Sequence, residues 1–168
     1  MKQKQIYKLA LAGVLIALGV ACAPFSIPIG ASKCAPVQHM INVLAGVLLG
    51  PWYACGMAFV TSCIRIGMGA GTLMAFPGSM VGALCCGLAY RYCPRLWAAY
   101  IGEVAGTGIL GAMAAYPVAT LLMGKEAALF TYVVPFLIST GVGAMISVLV
   151  LAALQRTHVL AGVQKKLG

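Results

Sequence analysis

The chain divides into six apolar runs, at 6–23, 35–49, 52–68, 75–92, 97–121 and 128–154, separated by short clusters of Pro, Gly and charge. Runs near twenty residues carry an α-helix across about 30 Å of hydrocarbon, where every backbone N–H and C=O must be satisfied within the segment. With 62% hydrophobic and 8% charged residues among 168, and a mean hydropathy of +1.02, too little polar surface remains to cover a water-soluble fold. The expected fold is an all-α integral membrane protein, six transmembrane helices in one compact bundle forming a single domain over 1–168. No soluble catalytic domain fits beside them.

Charge placement orients the bundle. Eleven Lys and Arg against two acidic residues give a net charge of +9, a balance that in a soluble chain points to nucleic acid. Here the cations sit at the ends of apolar runs, which excludes that reading. Six crossings put both termini on one side. Assigning that side to the cytoplasm places Lys2, Lys4, Lys8, Arg91, Arg95, Arg156, Lys165 and Lys166 inside and only Lys33, Arg65 and Lys125 at or near the outside, as the positive-inside rule requires. The basic start followed by Ala21-Cys22-Ala23 imitates a lipoprotein signal, but Gly19 stands where a larger aliphatic is usual, so the first helix is read as retained. Gly50-Pro51 alone separates the second and third runs and predicts a tight helical hairpin. The last two runs are long enough to tilt.

Acidic residues are nearly absent: there is no Asp, and the carboxylates are Glu103 and Glu126. Two-carboxylate acid/base catalysis, carboxylate-bound magnesium and ATP hydrolysis therefore lack their parts, and neither a metal nor a cofactor is expected. Gly106, Gly108 and Gly111 spell G-x-G-x-x-G, but mid-helix, with no preceding strand, so packing explains it better than a nucleotide. Gly102/Gly106, Gly46/Gly50 and Gly78/Gly82 are G-x-x-x-G pairs that let helix backbones approach closely. Gly13, Ala17 and Ala21 form a small-residue stripe on the first helix, for packing inside the bundle or against another protein. Seven cysteines without metal-ligand spacing read as small apolar fillers, with no structural disulfide expected.

Polar side chains inside apolar runs are costly and mark binding or transport pathways. Gln38, His39 and Asn42 open the second helix; Ser62 and Arg65 end the third; Thr72, Phe76 and Ser79 enter the fourth. Tyr116 lies near the outer end of the fifth, and Tyr132 and Ser139 line the first half of the sixth. All belong to the outer half or the midplane. Each has a plainer reading: His39 as a helix start, Arg65 snorkelling to head groups, Tyr116 and Tyr132 in the interfacial aromatic belt. Their convergence from five helices on one depth argues for a shared pocket. Glu103 sits about two turns into the fifth helix, placed to reach the pocket floor, to pair with a distant cation, or to be protonated. The Pro- and Gly-rich connections 24–34 (with Pro24, Pro28 and Gly30) and 66–74 are expected as its walls or lid, or as plain loops.

The segments 35–54 (APVQHMINVLAGVLLGPWYA), 71–79 (GTLMAFPGS), 102–108 (GEVAGTG) and 115–118 (AYPV) resemble the ThiW family over nearly the whole chain. That resemblance implies a substrate-binding (S) component of an energy-coupling factor transporter in a prokaryotic plasma membrane. It would capture hydroxyethylthiazole, the thiazole half of thiamine, outside the cell. A transmembrane coupling (T) protein and two ATPase subunits would supply the ATP hydrolysis, and the chain itself would not be an enzyme. It further implies that Gly13, Ala17 and Ala21 face the coupling protein, with Gly13 where the family's stripe begins with alanine. For a neutral heteroaromatic ligand, Phe76 or Tyr132 would give a flat wall, His39 or Asn42 a donor to the ring nitrogen, and Gln38, Thr107 or Glu103 a hydroxyl partner. The competing readings are an S component for thiamine or another vitamin, a small membrane enzyme using His39, Glu103 or a cysteine, and a purely structural membrane subunit.

Overall fold

The computed structural model describes residues 2–29 and 32–167, so Gly30 of the first outer connection lies outside the described residues. It is all-helical apart from one short hairpin. Helix α1 covers Lys2–Ala21; a single 3₁₀ turn and two three-residue strands, β1 (Ile27–Ile29) and β2 (Ser32–Cys34), pair antiparallel with Ile27 opposite Cys34. There follow α2 (Pro36–Leu49), α3 (Pro51–Gly67), α4 (Ala75–Tyr92), α5 (Leu96–Leu122), α6 (Val133–Arg156) and α7 (Val159–Leu167).

Local chemistry sets these boundaries. Pro36 and Pro51 each open a helix, where the missing N–H has no partner to lose. Gly50 ends α2 and precedes α3 at φ 85°, a left-handed conformation that lets the chain reverse in one residue. The sixth helix begins at Val133, five residues later than the apolar run suggests, because 124–131 is an irregular connection. Helix α7 was not expected from the sequence: nine residues with Leu160 and Leu167 buried and Lys165 and Lys166 exposed.

Three helices, α1, α5 and α6, are long and apolar enough to cross a membrane. Helix α2, at 14 residues, is about 21 Å long. It is nevertheless the centre of the fold: every residue from Gln38 to Val47 is buried, between α3, α4, α5 and α6. Around it the outer surface is apolar, with Leu9, Val14, Leu121 and Leu149 among many large exposed hydrophobics, the inverse of a water-soluble surface. The chain is a membrane protein. Lys8, Gly50, Trp52 and Arg91 border one cleft, so α1 starts where α2 and α4 finish. Helix α7 joins that end through the Gln164 Nε2 donor to Tyr90 Oη at 3.1 Å.

Helices α4 and α5 meet through glycine. Gly82 lies against Gly106, and Gly78 against Gly111, so closely that a methyl at either α5 position would stand 3.0 Å from the partner Cα. In hydrocarbon this close van der Waals packing replaces the hydrophobic drive available in water. Gly50 differs from the packing expected of it: nothing lies within 4 Å of where its Cβ would be, so its role is the turn. Helix α5 carries two π-helical stretches, Gly106–Gly111 and Val118–Leu122. Such widened turns insert a residue and rotate everything beyond them, and they favour functional sites.

Candidate functional site

Because α2 is surrounded by other helices, Gln38, His39 and Asn42 are all buried, and each must find a partner within the bundle. For His39 and Asn42 that partner is Glu103 on α5, which is fully buried. Its Oε1 lies 2.9 Å from His39 Nδ1 and accepts from Asn42 Nδ2 at 3.1 Å and Thr107 Oγ1 at 3.0 Å. Three donors converging on one oxygen compensate the burial of a carboxylate, and they orient the imidazole with its Nδ1 proton toward Glu103, leaving Nε2 for other contacts. Oε2 has no partner.

The network continues in both directions. Asn42 Nδ2 also donates to the Ser79 carbonyl at 3.2 Å, and Asn42 Oδ1 accepts from Gln38 Nε2 at 3.3 Å. Gln38 Oε1 in turn accepts from Arg65 Nη1 at 3.3 Å. Ser79 Oγ donates to the Ala75 carbonyl at 2.7 Å, so the Ser62 hydroxyl supplies the proton of the 3.2 Å contact between the two serines. Arg65 through Gln38 and Asn42 to Glu103 is thus one relay across α3, α2 and α5.

A half-open cavity sits above this relay at the N-terminal turns of α2, α4 and α6. Gln38 and His39 of α2, Arg65 of α3, Thr72 with Ser79 at the head of α4, and Ser139 of α6 line it. These six belong to the twelve residues singled out in the sequence. The other six lie elsewhere. Asn42, Glu103 and Thr107 form the layer beneath His39. Phe76 is half-buried with its ring 5.5 Å from that of Phe59, Tyr132 is buried behind the cavity wall with its ring 6.3 Å from that of Phe136, and Tyr116 is half-buried near the end of α5. Neither Phe76 nor Tyr132 lines the cavity, whereas Phe136 and Met74 do. Sequence reasoning missed both, and Lys33 as a wall residue, because apolar side chains and an exposed lysine look ordinary in a membrane chain.

The two outer connections also reach the cavity, through Ser32 and Lys33 of β2 and Ala70, Gly71 and Thr72 of 66–74. Ser139 Oγ ties the hairpin side down by accepting the Ala35 N–H at 2.9 Å. The cavity is about 50 Å³.

On α1 the residues that pack inward are Ala12, Leu15 and Gly19; Gly13, Ala17 and Ala21 are all exposed. Their stripe therefore faces away from the bundle. The cysteines are free thiols, with Cys34 and Cys86 buried and Cys63 exposed.

A family model described as thiamine-precursor transporter protein (ThiW) matches residues 9–157. No curated protein and no solved structure matches the chain.

Proposed function

The chain belongs to the ThiW family of thiamine-precursor transporter proteins, and from that premise we propose that it is the substrate-capture component of an energy-coupling factor transporter. Its cargo in this reading is a thiazole precursor of thiamine, of the size of hydroxyethylthiazole. The observation that carries the reading is the small cavity lined by His39, Gln38, Arg65, Thr72 and Ser139 inside an otherwise apolar bundle.

Within that pocket Phe136 offers the ring an apolar face, His39 Nε2 meets a polar ring or hydroxyl atom, and Ser139 or Thr72 takes the remaining hydroxyl. Glu103 and Thr107 act through His39. The chain is a single domain with six crossings, α1 to α6, both termini in the cytoplasm of a prokaryotic cell. The eight cations at one end against three at the other favour that orientation. Helix α2 tolerates its short length because it is surrounded by protein rather than lipid. The chain does not itself catalyse a reaction: with Glu103 held by three donors and Glu126 exposed, ATP hydrolysis falls to two ATPase subunits, linked through a transmembrane coupling protein. The exposed Gly13, Ala17, Ala21 stripe of α1 is the contact surface for that coupling protein.

Thiamine as cargo fits less well, since its fixed positive charge would face Arg65 and Lys33 rather than a carboxylate. The test is thermal unfolding of the purified chain in detergent with hydroxyethylthiazole, thiamine and riboflavin side by side, because a ligand that binds only the folded state raises the midpoint. Protection by a thiazole and not by the other two supports the reading. Protection by riboflavin alone, or by none, refutes it.

A further inference from the structure

Arg65 is a buried cation without a counter-ion. It is 5% exposed, so it does not snorkel to head groups. Among the described residues its one hydrogen bond is the long Nη1 donation to the neutral Gln38 amide at 3.3 Å, and its Nε has no partner. Arg65 takes no part in the ion-pair contact between His39 and Glu103. Glu103 lies at the far end of the relay with two amides between, and the other carboxylate, Glu126, is exposed in the 124–131 connection. A guanidinium held this way is costly to retain unless something anionic reaches it.

The side chains that line the cavity have the same sign, with the Glu103 carboxylate one layer beneath them. Lys33 adds a second cation to its wall and no acidic side chain lines it. The first turns of α2 and α4, helices of 14 and 18 residues, border it through Ala35, Gln38 and His39 and through Ala75 and Gly78, bringing two positive helix ends to one space. Arg65 has five N–H donors in a fixed fork and one is engaged, which is the geometry that takes two oxygens of a carboxylate or phosphate.

Resting on the capture reading, we infer that the cargo bears an acidic substituent, a carboxylate or a phosphate monoester on the small heteroaromatic ring, and that Arg65 seats it. The neutral alcohol is then the weaker ligand. Lys33 contributes at the mouth by long-range attraction, so its share weakens with salt while that of the buried Arg65 does not.

Three probes test this with the full chain in detergent: hydroxyethylthiazole, the acid formed when its alcohol carbon is oxidised to a carboxylate, and its phosphate monoester. Titration calorimetry at low and high salt, on the native chain, Arg65→Gln and Arg65→Lys, gives the ratios. The expected result is at least about tenfold tighter binding of one acidic probe than of the alcohol by the native chain. That preference should vanish in Arg65→Gln and be partly kept in Arg65→Lys, with alcohol binding by the Gln variant showing that its pocket is intact. Whether the carboxylate or the phosphate binds better names the acid, and either supports the inference. Equal or tighter binding of the alcohol by the native chain overturns it on its own and leaves thiazole capture standing; so does a preference that persists in Arg65→Gln. Binding of none of the three removes both readings together.

Discussion

Gly82→Ala probes the tightest point of the site without needing a ligand. A methyl there would overlap Thr107 Oγ1 and stand 3.0 Å from both Thr107 Cβ and Glu103 Oε2. Thr107 cannot swing aside freely, since its hydroxyl lies 3.0 Å from Glu103 Oε1 and 3.2 Å from the Gly78 carbonyl. Nor can the helices separate cheaply, because Gly111 against Gly78 and Gly102 against Cys85 and Cys86 hold α5 onto α4 on either side. Overpacking of this kind costs about 1–3 kcal/mol, and losing the hydrogen bond to a buried carboxylate adds about 1.5–3 kcal/mol. The single variant should therefore lose about 2.5–6 kcal/mol. Thr107→Ala forfeits only the hydrogen bond, and in the double variant the Gly82 methyl enters the space that Oγ1 vacated. The double variant should then be more stable than the summed singles by at least about 2 kcal/mol, a coupling expected of groups in direct contact. The assay is reversible unfolding in mixed micelles, followed by helical circular dichroism as denaturing detergent is added. A Gly82→Ala variant within about 0.5 kcal/mol of the native chain, or additive singles, would refute the close approach of α4 and α5 and with it the geometry around Glu103.

Three further outcomes are expected. His39→Ala weakens thiazole binding about tenfold, or about 1.4 kcal/mol, whereas Asn42→Ala, one layer deeper, chiefly lowers unfolding stability by about 2–4 kcal/mol because it strands Gln38 and the Ser79 carbonyl; titration and unfolding on both variants separate the two. Phe136→Ala reduces ligand affinity in the same titration while Phe76→Ala leaves it within twofold, since Phe136 and not Phe76 lines the cavity. Ala17→Trp on the exposed face of α1 leaves ligand binding unchanged but prevents co-purification with the coupling protein, and unimpaired co-purification would move that interface elsewhere.

Much of the fold is legible in order along the chain. Pro36, Gly50-Pro51 and the charge clusters around Lys8 and Arg91 mark helix ends because each acts on its own backbone or on the nearest membrane surface. Helix α7 and the β1–β2 hairpin were not legible: nine residues with two inward leucines, and two strands of three residues, are too short for periodicity to declare. Within the site, the residue types on α2 show that a polar cluster must exist, but not which members face ligand. His39 and Asn42, three residues apart, both contact Glu103, yet only His39 reaches the cavity. Thr72 and Phe76 are a turn apart, and only Thr72 reaches it.

Composition and the spacing of apolar runs determine that this chain dissolves in lipid, that it is helical, and that its few polar groups must pair. Those are consequences of solvation, which acts on each segment separately. The split between cavity wall, buttress and lipid-facing surface, the isolation of Arg65, and the outward turn of Gly13, Ala17 and Ala21 are decided only by the assembled bundle. They depend on the rotation of each helix about its axis, and that rotation is fixed by glycine contacts from neighbouring helices and by inserted turns in α5 that no single segment encodes.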